Sequence, residues 1–169
     1  MNPFCLKNLL IVLLALLLTG STAWAVIYEP LPEMPYPADN PPSPEKEKLG
    51  SSLFFDPKLS GNNKISCSSC HAPNLGWTDQ KPTSIGFENK KIGRNSPTIL
   101  DSGFNQSQFW DGRSKTLEEQ ALKPIQSPVE MSLSLPDLVK KLSADPKYPA
   151  LFKKAFGDNT ITANRVAQA

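Results

Sequence analysis

Ile65-Ser-Cys-Ser-Ser-Cys-His71, ISCSSCH, holds the only histidine of this 169-residue chain and two of its three cysteines. The third, Cys5, sits ahead of an apolar run near the N-terminus. A bridge between Cys67 and Cys70 would span two residues and constrain little of the chain. The pair is therefore expected to do chemistry. Cys-x-x-Cys-His is the attachment pattern of a c-type haem: each thiol adds to one vinyl group, and the adjacent imidazole reaches the iron from the same side. A thioredoxin-type redox pair would not need the adjacent histidine, and no βαβ pattern surrounds it. A structural zinc site takes four ligands, more than these two cysteines and one histidine supply. Cys67 and Cys70 are thus expected to hold one haem c covalently, with His71 as an axial ligand to its iron.

The second axial position is open to argument. With one histidine in the chain, bis-histidine ligation within it is excluded by counting. Methionine is a common partner in electron-transfer cytochromes. Met131, 60 residues after His71, is a better candidate than Met34 in a proline-rich stretch. An open position that takes water or a small ligand, as in peroxidases, is the other reading.

Outward from this motif, the N-terminal residues 1–25 read as a secretory signal peptide: Lys7, the ten-residue apolar run Leu9–Leu18, then Ala23-Trp24-Ala25. That run is well short of the roughly 20 apolar residues that span a bilayer. The chain is expected to be exported to the periplasm. Removal of the signal leaves 144 residues with 17 basic and 16 acidic side chains and no basic block, so nucleic acid is not an expected partner. Residues 26–44 form a leader in which seven prolines fall between Tyr28 and Pro44, favouring extended backbone over helix or sheet. Folded structure is expected over 45–169. Helical signals are Leu49 and Leu53, the Thr116-x-x-Glu119 capping box, Ser134 ahead of Leu135, Leu138, Val139 and Leu142, and Leu151 to Phe156 stopped by Gly157. From Ala72 to Phe109, nearly forty residues lack periodicity. Loops of that length are unusual in an ordinary core, and a large apolar cofactor explains them by supplying the core itself. The fold class expected is mostly α, a cytochrome c-like haem domain with long loops wrapped around the haem. Thr162 caps a new helix seven residues before the last residue, which suggests that the sequence is a fragment.

Three stretches, LGSSLFFDPKLSGNNKISCSSCHAPNLGWTD from Leu49, RNSPTI from Arg94 and FWDGRSKTLEEQALKPIQSPVEM ending at Met131, resemble the N-terminal haem domain of bacterial di-haem cytochrome c peroxidases. The methylamine dehydrogenase maturation enzyme is a relative in that family. The resemblance implies an oxidoreductase that reduces hydrogen peroxide. Its electrons come from a small cytochrome c or cupredoxin through a second, C-terminal haem domain absent from this chain, and a homodimer is compatible with it. It implies that Glu130 and Gln120 handle peroxide, Trp110 relays electrons between haems, and Asn95 ligates an inter-domain calcium. One departure stands out. Many of these peroxidases carry a distal histidine in a Thr-Ser-Ile-Gly-His stretch, and here Thr83-Ser84-Ile85-Gly86 is followed by Phe87, which cannot ligate iron. The expectation is an iron site open to water, needing no reductive activation. Oxidation of a protein or organic substrate is a close variant; a single-haem carrier with His71 and Met131 ligation is the alternative outside catalysis.

Overall fold

Leu49, Leu138, Leu142, Tyr148 and Phe152 are wholly shielded from solvent, and the helices that carry them define the architecture. The structure is a computed structural model and describes residues 29–169. The expected signal peptide lies outside the described residues. Two units divide the chain, Met1–Glu33 and Met34–Ala169. Of the first, residues 29–33 are described; they are exposed and without regular structure.

In the second unit the helices are α1 (Pro44–Phe54), α2 (Leu117–Gln126), α3 (Leu135–Ala144), α4 (Lys147–Phe156) and α5 (Ala163–Ala167). Among the described residues there is no β-sheet, only three isolated bridges. None of the described helices is long and apolar enough to cross a membrane. The fold is mostly α, as expected.

Local chemistry sets the helix ends. The Ser43 hydroxyl accepts from the Lys46 amide and Pro44 takes the first helical position, where its missing N–H costs nothing. Thr116, Ser134 and Thr162 cap α2, α3 and α5 through bonds from Glu119, Asp137 and Arg165 amides. Glu119 does not close a reciprocal box; its carboxylate accepts from Lys115 instead. Gly157 ends α4 at φ 88°, a conformation glycine adopts without a β-carbon penalty.

α1 packs along α4, α2 against α5, and α3 touches α2, α4 and α5. The Tyr148 hydroxyl on α4 donates to the Asp56 carboxylate at 2.6 Å, tying it to the residues just after α1. The Lys141 ammonium on α3 donates to the Ser60 carbonyl at 2.7 Å and to Asn63 Oδ1 at 2.8 Å, securing the turn that leads into Cys67. α5 is too short to hold alone; Val166 is buried in the core and supplies the packing it needs.

Residues 34–43 belong to the folded unit because polar side chains anchor them: Asn40 Nδ2 donates to Glu118 at 2.9 Å, and Lys46 reaches back to Asn40 Oδ1 at 2.8 Å. Met34 packs on Gly103, so closely that a β-carbon there would stand 2.3 Å from the sulfur.

Candidate haem and peroxide site

The loops between α1 and α2 build the site. Within Cys67–His71 the chain makes one tight turn, with the Cys70 and His71 amides both donating to the Cys67 carbonyl at 3.2 and 3.0 Å. Cys67 and Cys70 are free thiols. Burial pushes the Cys67 thiol up to about 11, and raises Cys70 as well, with the charges of Asp79 and Glu130 adding to the effect. Cys67 packs on the edge of the helical core.

His71 is oriented by carbonyls. Its Nδ1 lies 3.1 Å from the Pro97 oxygen and 3.2 Å from the Trp77 oxygen. A carbonyl can only accept, so Nδ1 carries the proton and Nε2 presents its lone pair. Three bridges close the loops around this turn: Ala72 with Thr78, Ile85 with Lys91, and Gln108 with Ser114. Left-handed backbone occurs at Trp77, Gln80, Glu88, Asn89, Asp101 and Phe109. Such conformations persist in non-glycine residues only where the surroundings over-determine them.

An apolar cavity of about 380 Å³ lies beside the motif, lined by Cys67, Trp77, Phe54, Ile99, Ala121 and Ile125 among others. Trp77 meets Phe54 edge-on at 5.8 Å between ring centres. The residues fit haem c: two free thiols, an imidazole whose Nδ1 is held by carbonyls so that Nε2 is left to ligate, and a hydrophobic cavity within the size range of cofactor sites. Among the described residues no group of three His, Cys, Asp or Glu side chains converges on a metal-ion position.

Glu130 is half-buried on the turn after α2. Burial holds its carboxyl above the ordinary range, and the Arg113 charge offsets part of that rise. Its own charge reaches Cys70. Arg113 is fixed on the face of Phe109, 3.4 Å from the ring centre, and pairs with Asp111, which also pairs with Arg94. These two arginines hold the Asp111 carboxyl down at about 2. Gln120 is half-buried on α2, one residue before the cavity-lining Ala121.

Three sequence-derived residues stand in unexpected settings. Trp110, which a reading by size alone places in a core, is 64 % exposed. Its indole N–H donates to the Asn95 carbonyl at 2.9 Å, which satisfies the ring's polar edge while its faces meet solvent. The Asn95 side chain donates from Nδ2 to the Lys81 carbonyl at 2.6 Å. Met131 is 3 % exposed and packed among core leucines; like His71, Gln120 and Glu130, it does not line the cavity. The Pro97 carbonyl carries no mark in the sequence, because every residue has the same backbone acceptor.

Comparison with known proteins follows the same lines. The profile of the di-haem cytochrome c peroxidase family matches residues 44–169. The chain belongs to that family. It is 37 % identical over 166 residues to the methylamine utilization protein MauG of Methylophilus methylotrophus, covering 95 % of this chain and 50 % of that one. It is 45 % identical over 134 residues to the cytochrome c551 peroxidase of Pseudomonas aeruginosa, covering 78 % of this chain and 38 % of the relative. Among solved structures, a MauG-like protein associated with microbial copper homeostasis superposes with a TM-score of 0.75 at 35 % identity, over 86 % of this chain and 45 % of that one. The chain thus spans about half or less of the length of these relatives.

Proposed function

We propose that this chain is the peroxide-reacting haem domain of an exported di-haem peroxidase, reducing hydrogen peroxide to water. Cys67 and Cys70 would hold haem c by thioether bonds, and His71 would ligate its iron through Nε2. When bound, the haem supplies an iron that takes peroxide and passes electrons to it. Each peroxide takes two electrons and two protons to give two waters. The electrons come from a small cytochrome c or cupredoxin through a second haem domain.

The observation that carries this reading is the setting of Glu130: a desolvated carboxyl within electrostatic reach of Cys70, beside a clamped arginine. A carboxyl so held takes a proton from one peroxide oxygen and returns it to the other, an effect of about 10²–10⁴-fold in rate. The Gln120 amide positions the peroxide by hydrogen bonding. Trp110, exposed and hydrogen-bonded through its N–H to the Asn95 carbonyl, carries electrons towards the site from the second domain. Asn95 contributes a side-chain oxygen to calcium at the junction of the domains; the six to eight oxygens calcium takes come mostly from elsewhere. Phe87 cannot ligate iron, so a bound haem would take peroxide without reductive activation.

The burial of Met131 in the helical core supports peroxide chemistry over a His–Met electron carrier. Absorption and EPR spectra of the haem-loaded chain, before and after hydrogen peroxide, test the reading. A high-spin ferric resting state altered by peroxide is expected. A low-spin state indifferent to peroxide would make the chain an electron carrier and retire Glu130 as a catalyst.

A further inference from the structure

Glu130 rides on residues 127–133, a turn that belongs to no helix. Several backbone bonds fold that turn back onto the end of α2. The Met131 amide donates to the Pro124 carbonyl at 3.2 Å and the Leu133 amide to Ile125 at 2.8 Å. The Glu130 and Ser132 amides both donate to the Ser127 carbonyl, at 3.1 and 2.9 Å, and Ser132 has a left-handed φ of 52°.

Two glycines distant in sequence close on the same turn. The Gly61 amide donates to the Met131 carbonyl at 2.8 Å, and a β-carbon on Gly61 would stand 2.5 Å from the Ser132 oxygen. A β-carbon on Gly86 would stand 2.1 Å from the Val129 oxygen and 3.0 Å from the Glu130 Cα. The next amide, Phe87, donates to that Val129 oxygen at 3.1 Å. The Phe87 ring also reaches Gly61, its Cε2 lying 3.1 Å from the point where a β-carbon would be. Neither glycine has a positive φ. What glycine provides here is room for backbone to meet backbone, rather than an unusual conformation.

We propose that Gly61 and Gly86, with the Phe87 amide, are positioning residues that clamp Val129–Ser132 and so fix where the Glu130 carboxyl stands. The proposal rests on the reading of Glu130 as the acid–base group. A clamp is what such a group requires, since misplacement by about 1 Å can cost on the order of 10²-fold in rate. It also gives the loop carrying Phe87 a role in this chain that involves no ligation of iron.

The test uses the haem-loaded chain with hydrogen peroxide and a reducing dye as electron donor. Gly86→Ala and Gly61→Ala are compared with Glu130→Gln and with the double variant Gly86→Ala/Glu130→Gln. Haem content and amide hydrogen exchange across residues 127–133 are recorded for each. The expected result is a fall in kcat of about 10²-fold for Gly86→Ala with KM unchanged, faster exchange at 129–132, and full haem content. The double variant should be no slower than Glu130→Gln alone, because residues acting as a unit are non-additive. An additive loss in the double variant, or unchanged kcat alongside lowered stability, overturns the proposal.

Should Gly86→Ala fail to fold, Phe87→Pro carries the test. It deletes the amide donor at the first position of a short turn, where proline's φ is tolerated, and Phe87→Ala controls for loss of the ring. If Glu130→Gln leaves kcat unchanged, the acid–base reading fails, and the clamp is judged on exchange alone. Unchanged exchange at 129–132 in both Gly86→Ala and Phe87→Pro then overturns it.

Discussion

His71 and Pro97, 26 residues apart, are joined through imidazole Nδ1 and a backbone carbonyl at 3.1 Å. The bond fixes both the tautomer and the angle of the ring, and leaves Nε2 as the nitrogen able to ligate. His71→Ala should leave the two thioether bonds in place while removing the axial ligand. A haem-stained denaturing gel should therefore remain positive, the absorption spectrum should change, and added imidazole should restore it. A gel negative for haem would mean that His71 is needed for attachment itself.

Glu130→Gln should separate activity from stability. Peroxide turnover is expected to fall by about 10²–10⁴-fold. A carboxyl whose pKa is raised by folding binds its proton more tightly in the folded state. Stability therefore falls as pH rises from the unfolded towards the folded pKa, and the loss is complete above the folded value. With the Glu130 carboxyl raised by burial, the glutamine variant should be the more stable at neutral pH and close to wild type in acid. Denaturant melts at the two pH values measure the gap; a gap that closes towards neutral pH would contradict the burial assignment.

Trp110→Phe should barely change stability, within about 0.5 kcal/mol, because the ring it alters is on the surface. A core tryptophan truncated to alanine would cost about 3–5 kcal/mol. If Trp110 relays electrons, the same variant should slow reduction by the donor when a second haem domain is present. Stopped-flow reduction kinetics beside a thermal melt decide between the roles.

Tyr148→Phe removes one buried hydroxyl that donates to the Asp56 carboxylate at 2.6 Å. Hydrogen bonds to charged partners are worth about 1.5–3 kcal/mol, and that loss is expected in urea denaturation. Peroxide turnover should not change, since the bond joins α4 to the end of α1 away from Glu130.

Much of the helical frame was legible because its signals are local. Thr116, Ser134 and Thr162 each cap through an amide three residues on, and Gly157 stops α4 in its own φ, so neighbours in sequence suffice. The haem motif was legible for the same reason: two thiols and an imidazole occupy one turn. The anchoring of the proline-rich stretch was not legible, because Pro44 suits a helix start as well as it suits extended chain, and the Asn40–Glu118 bond spans 78 residues.

The sequence by itself determined the residues able to bind haem c and the absence of a second histidine to answer His71. Only the tertiary structure decided which carbonyls orient that histidine, that Met131 packs in the helical core, and that Trp110 faces solvent. It alone brought Gly61 and Gly86 against the Glu130 turn. The reason is physical. A side chain announces its chemistry in the sequence, whereas backbone carbonyls and amides are the same at nearly every position. Which of them meet depends on how distant segments pack.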